Sequence, residues 1–193
     1  MKILAFSDIH NDIIHLKEAY RKFKEEKPEI VICAGDIFEF WNFSPKIKDL
    51  LEKFDTKLLL IHGNHEDLKL INKLCNENII NLHNKIFNVK NFTFFGYGGG
   101  GFSQEDKKLE NDINKIKNRL NNWVFITHAP PFNTNLDLVY DHHVGSKSIR
   151  KIIEKFDPLL NICGHLHENF YIKDKINKTE IINPGPSGSV INI

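Results

Sequence analysis

Short apolar runs, each followed immediately or within two residues by a polar residue, recur along this chain. Residues 2–7, 29–34, 57–61, 123–127 and 159–163 are five or six residues long and rich in Ile, Leu, Val and Phe. Runs of that length with no polar alternation read as strands buried on both faces. Between them the spacing changes. Ile13, Leu16, Ala19, Tyr20 and Phe23 fall at helical intervals within residues 12–27, and Pro28 ends that helix. Residues 46–54, 68–75, 104–120 and 146–156 also read as helices, the third of them charged and amphipathic. The opening β-α-β-α-β order implies parallel strands with helices as crossovers. Residues 85–89 and 91–97 read as paired strands, residues 97–101 as a flexible glycine turn, and residues 170–173, 179–182 and 189–193 as a meander of antiparallel strands. The expected architecture is two mixed sheets packed face to face with helices outside, in one domain covering residues 1–193.

Composition narrows the function classes. The chain has 193 residues, 41% hydrophobic and 26% charged, with 26 basic and 25 acidic residues for a net charge of +1. That balance argues against a general polyanion binder, and so against nucleic acid as a partner. Cys33, Cys75 and Cys163 are odd in number and irregular in spacing, so no disulfide framework is expected; Cys33 and Cys163 read as buried small residues. The first residues turn polar too soon for a signal peptide, and no apolar run approaches the roughly 18 residues of a membrane span. The expectation is a soluble, cytoplasmic protein.

The polar residues that end the strands carry the chemistry. They are Asp8-Ile9-His10, Gly35-Asp36, Gly63-Asn64-His65-Glu66, Thr127-His128-Ala129 and Gly164-His165-Leu166-His167. Sites in open α/β sheets form beyond the carboxyl ends of the strands, so five such segments converge on one rim. Asp8 and His10 are two apart, and in an extended segment both would point to the same side and ligate one ion. His165 and His167 share that spacing, but a turn could direct them to different ions. Asp36 suits a carboxylate bridging two cations, Asn64 offers a neutral carbonyl oxygen and His128 an imidazole. Mixed nitrogen and oxygen donors favour Mn, Fe, Zn, Ni or Co over Ca. Two adjacent ions make a hydrolytic device for phosphate esters.

Several residues have two readings from the sequence alone. His143, and less so His142 and Asp137, sit in a polar loop at residues 133–145 that is placed to touch substrate. Residues 98–101 could present backbone N–H groups to a phosphate or form a plain turn. Phe38, Phe40, Trp41 and Phe43 could stack a nucleobase, make a homodimer contact or pack in the core. Glu39 supports the site or is solvated; Glu66 orients His65 or caps the following helix. His62 supports the site from behind, whereas His15 and His83 read as surface residues.

The ordered set Asp-x-His, Gly-Asp, Gly-Asn-His-Glu, His and Gly-His-x-His, from Asp8 to His167, resembles the calcineurin-like metallophosphoesterases. Thr127-His128-Ala129-Pro130-Pro131, His143-Val144-Gly145-Ser146 and Asn183-Pro184-Gly185-Pro186 are similar to the small Icc-related phosphoesterases. The resemblance implies an α/β/β/α sandwich of four layers, and the short chain is expected to carry no inserted cap domain. It assigns Asp8, His10 and His167 to a first metal, Asn64, His128 and His165 to a second, and Asp36 to both. His65 then lies outside the ligand set, beside the phosphate with Asn64, as proton donor or charge stabiliser. Two divalent transition-metal ions are the implied cofactors, manganese foremost. A hydroxide bridging them attacks phosphorus, in a small ester such as a nucleotide, and the branch resemblance favours diesters over monoesters. A nuclease and a non-catalytic protein-interaction scaffold are the alternatives. Scaffold relatives lose ligands or the histidine after the asparagine, and this chain keeps both.

Overall fold

A computed structural model describes residues 1–193. The first half lays down β1 (Lys2–Phe6), α1 (Ile13–Glu26), β2 (Ile30–Cys33), α2 (Pro45–Leu51), β3 (Leu58–Leu60), α3 (Leu68–Asn72) and β4 (Ile79–Asn81). Each helix starts where a short polar side chain satisfies free backbone N–H groups. Asp12 accepts from Ile14 and His15, Ser44 from Ile47, and Asp67 from Leu70. Lys27 turns α1 off in a left-handed conformation, its N–H donating to the Phe23 carbonyl, one residue before Pro28.

The second half contains β5 (Lys85–Val89), β6 (Phe92–Tyr97), α4 (Lys107–Ile116), β7 (Trp123–Thr127), β8 (Leu138–Val139), β9 (His142–His143), α5 (Lys147–Phe156), β10 (Leu160–Ile162), β11 (Lys173–Ile176), β12 (Thr179–Ile182) and β13 (Ser189–Asn192). One sheet runs β13-β1-β2-β3-β4, the other β11-β12-β10-β7-β6-β5. The strands that end at the site, β1, β2 and β3 in one sheet and β7 and β10 in the other, run parallel to one another within each sheet. Their carboxyl ends therefore form one edge of each sheet.

Side-chain alternation in β1 shows why the runs are apolar throughout. Leu4 and Phe6 join a core under α1, α2 and α3, while Ile3 and Ala5 join a second core between the sheets. A third core, with Phe95, Phe125, Leu109, Ile113, Ile149 and Ile153, lies between the second sheet and helices α4 and α5. This is the expected α/β/β/α sandwich.

Two expectations need correction. The tail is not a meander. β11 starts at Lys173 and pairs with β12, β12 runs parallel to β10, and β13 crosses to the other sheet to lie antiparallel to β1. α4 begins at Lys107, capped by Asp106, rather than at residue 104. β4 was not foreseen, because three residues are too few to show a period. The loop at residues 133–145 also holds the small β8–β9 hairpin.

Candidate metal centre

The carboxyl ends of β1, β2, β3, β7 and β10 bring the predicted polar residues together. The chain does this by leaving the extended conformation at once. Asp8, His10, Asp36 and His165 have φ of 56°, 46°, 51° and 75°, the left-handed region. The extended geometry expected for Asp8 and His10 is therefore wrong, and their side chains meet through a turn instead. Such backbone strain costs about 1–3 kcal/mol per residue and persists only where the surroundings enforce it. Backbone hydrogen bonds do so here: Asp8 N–H donates to Gly35 O (3.0 Å) and His10 N–H to Asp36 O (3.0 Å). Two glycines of the motifs make room. A Cβ on Gly63 would lie 2.0 Å from Asp36 Oδ1, and one on Gly164 2.5 Å from Asp8 Oδ2.

The donor atoms form overlapping groups, each lying within 4.8 Å: Asp8, His10 and His167; His10, Asp36 and His65; Asp36, His128 and His165. His10 Nε2 faces His167 Nε2 at 3.1 Å. One oxygen of Asp36, Oδ2, lies 3.8 Å from His10 Nε2 and 3.3 Å from His128 Nε2, so it faces both ends of the centre. Asn64 Oδ1 is 2.9 Å from His128 Nε2. Imidazole nitrogens converging on one another beside two buried carboxylates are a costly arrangement unless cations compensate it. The donor set, nitrogen and oxygen without sulfur, fits divalent transition metals.

The electrostatics follow from burial and proximity. Burial pushes the Asp36 carboxyl up, but His128 and the His65 N–H outweigh it and hold Asp36 well below the usual carboxylate range. Burial would lower His128; Asp36 and Asp8 instead raise it to about 9. Burial raises Asp8 and lowers His10. His165, buried and close to His128, falls to about 4.

Further residues brace this set. The His128 Nδ1–H donates to the Ala34 carbonyl (2.9 Å), which fixes the tautomer and turns Nε2 to the rim. Buried Glu66 accepts from the backbone N–H groups of Ile37 (3.3 Å), Phe38 (3.1 Å) and Gly63 (3.1 Å). It staples the Asp36 and Asn64 loops together, and so neither orients His65 nor caps α3, which Asp67 does. Burial and the nearby Asp36 raise its pKa to about 7. Glu39 is the support that sequence left undecided: Oε2 lies 2.9 Å from His10 Nδ1 and Oε1 3.4 Å from His65 Nδ1. The His65 N–H donates to Asp36 Oδ1 (3.0 Å).

The groove over these atoms has a volume of about 300 Å³ and is lined by Asp36, Asn64, His65, Phe102, His165, His167 and Glu168. Phe102 and Glu168 were not foreseen; their signals were adjacency to the glycine run and to His167. His143 lies outside this lining, on β9, with Nδ1 2.7 Å from the buried Asp137 carboxylate. Asp137 also accepts from the Asn133, Thr134 and Gly145 N–H groups, so it ties the loop rather than reaching the groove. The glycine run packs on histidines: Gly99 N–H donates to His62 O (2.9 Å) and Gly98 N–H to His83 Nδ1 (2.9 Å). His83 is thus half-buried in a stack with His62 and Tyr97, not a free surface residue. Of the aromatics after Asp36, Phe38 is core and Phe43 packs against it, while Phe40 and Trp41 are exposed.

A double-sheet sandwich carrying Asp, Asn and His donors at its strand ends defines a class of metal-binding hydrolases. A family profile described as calcineurin-like phosphoesterase matches residues 1–169, and the chain belongs to that family. It is 38% identical to the uncharacterized protein MJ1162 of Methanocaldococcus jannaschii, over 96% of this chain and 88% of that one. It is 27% identical to a Coxiella burnetii protein named "probable cyclic nucleotide phosphodiesterase", over 75% of this chain and 62% of that one. Among solved structures, TT1561 of Thermus thermophilus shares the fold at a TM-score of 0.77 and 14% identity, with 95% and 88% of the two chains covered. An archaeal phosphodiesterase shares it at a TM-score of 0.58 and 21% identity, with 96% and 84% covered. No helix is long and apolar enough to cross a membrane.

Proposed function

We propose that this chain is a two-metal phosphodiesterase acting on small phosphate diesters. One observation carries the reading: Asp36 Oδ2 stands between two clusters of nitrogen and oxygen donors, within 3.8 Å of His10 Nε2 and 3.3 Å of His128 Nε2. Asp8, His10 and His167 would hold one ion, Asn64, His128 and His165 the other, and Asp36 both. Two such ions supply a hydroxide nucleophile near neutral pH and offset negative charge on the phosphoryl oxygens. His65 is reserved for the substrate. Its backbone is tied to Asp36, Glu39 stands at its buried Nδ1, and its ring lines the groove. In that position it donates a proton to the departing oxygen and, with Asn64, contacts the phosphate. The preference for diesters rests on the Icc-like motifs and on the name of the Coxiella relative.

The purified protein supplied with Mn²⁺ should cleave an activated aryl phosphodiester faster than the matching monoester. Equal activity after exhaustive chelation and dialysis would sink the two-metal reading; faster monoester cleavage would sink the diester preference.

A further inference from the structure

Three large aromatic side chains on segments beside the donor residues stand in water. Phe40 is 65% exposed, Trp41 59% and Phe102 86%. Phe40 and Trp41 hold φ of 40° and 58°, a backbone conformation that bulky residues rarely adopt. The Trp41 N–H donates to the His65 carbonyl (2.9 Å), which pins this turn to the groove wall. The Phe40 ring lies 4.4 Å from the His65 ring at 34°. At the other donor group, the Phe102 ring stands 5.7 Å from His165 and edge-on to it. It reaches there because Gly99, Gly100 and Gly101 are all left-handed, and a Cβ on Gly101 would meet the His165 ring at 2.5 Å. The chain thus uses a strained turn on one side and a glycine run on the other to present flat apolar faces beside a polar, anion-seeking centre.

We propose that Phe40 and Phe102 are specificity-determining residues that receive a flat aromatic ring of the substrate, so that the centre selects phosphate esters of nucleosides over those of sugars. The proposal rests on the two-metal reading above. A phosphate held by the donor rim leaves the rest of the ester near Phe102, which lines the groove, and near Phe40, which packs on the groove residue His65; a nucleobase stacks on such faces and a sugar alone gains nothing. Stacking on one aromatic side chain changes affinity by roughly tenfold or more.

The test compares inorganic phosphate, ribose 5-phosphate and adenosine 5′-monophosphate binding to the manganese-loaded protein by calorimetry. Trp41 supplies a second signal, since it is exposed while Trp123 is buried. Adenosine monophosphate should bind about tenfold more tightly than ribose 5-phosphate and quench Trp41 emission. The F40L/F102L variant, apolar but without flat faces, should bind the two equally. If ribose 5-phosphate and adenosine monophosphate bind the native protein equally, or the double variant keeps the preference, the aromatic proposal falls alone. If none of the three binds, the metal-centre reading falls and this proposal with it. A double variant that changes from dimer to monomer with its selectivity intact would assign the aromatics to a contact between copies and overturn the proposal.

Discussion

His128 and His167 each offer an imidazole nitrogen to the same rim, but their surroundings differ. His128 has no exposed surface; its Nδ1–H is held by the Ala34 carbonyl and its Nε2 faces Asn64 and Asp36. The His167 side chain is 54% exposed, begins a short 3-10 turn at His167–Asn169, and packs against Phe170 at a ring distance of 4.9 Å. The group around His128 is pre-organised by buried hydrogen bonds, whereas the group around His167 is completed by a half-exposed side chain that rests on Phe170. Preorganisation reduces the ordering cost of binding, so the two groups should differ in how firmly they hold a metal. Asp36 faces both.

Removing what the halves share should have the largest effect. Asp36→Ala should lower turnover on an aryl diester by a factor on the order of 10³ or more, because two-metal catalysis supplies several kcal/mol of stabilisation. At least one ion should be lost, as read by metal analysis after gel filtration. Activity surviving this change would refute a shared carboxylate. The comparison itself is sharpened by His128→Ala and His167→Ala. The first should abolish the slowly exchanging ion and lower thermal stability, since it also opens a buried cavity. The second should weaken only the ion that a chelator removes first. A chelator titration in which both variants lose the same ion would erase the proposed difference between the halves.

His65 belongs to neither half in our reading. His65→Ala should reduce kcat by about 10²–10⁴, the usual contribution of a positioned acid, with both ions still bound. Loss of an ion would move His65 into the ligand shell, as its place in a donor group with His10 and Asp36 allows. Glu39→Gln should cost about 10–100-fold in activity, the range for residues that orient a ligand, and mostly in kcat. An unchanged rate would reduce Glu39 to a solvated surface carboxylate.

The sequence showed the strands and the ends from which the donors project, because runs buried on both faces have no polar interruptions. It did not show how those donors meet. Asp8 and His10 converge through left-handed turns, and a turn forced by Gly35 and Asp36 carbonyls has no periodic signature. Glu66 was recognisable as an acid beside His65. Its work of joining two loops depends on which backbone N–H groups the fold leaves unpaired nearby. Phe102 was invisible for a related reason: its position over His165 depends on three glycines folding back, and residues 98–101 alone do not say which way. The tail was misread because β13 pairs across the molecule with β1, a contact that local pattern cannot specify.

The smallest expected effect separates the buried half from the exposed one by pH. With the metals stripped, the buried Asp36–His128 pair is left as an ion pair, which raises the His128 pKa to about 9 from an ordinary value of 6.5. A group that binds its proton more tightly when folded stabilises the fold most where the unfolded chain would already be protonated, below about pH 6.5. That contribution fades as pH rises and is gone above about 9. The Tm of the stripped protein should therefore fall by a few degrees between pH 6.5 and 9, roughly 2–4 °C for each kcal/mol lost in a chain of this size. The manganese-loaded protein should show no such decline, because a ligating imidazole is neutral throughout. In the stripped protein, His128→Asn should flatten the curve above the range in which Glu66 titrates, near pH 7, and His167→Asn should change it little, since the His167 side chain is 54% exposed and lies 3.9 Å from Asp8 Oδ1. A decline above that range that survives His128→Asn would place the titrating group elsewhere.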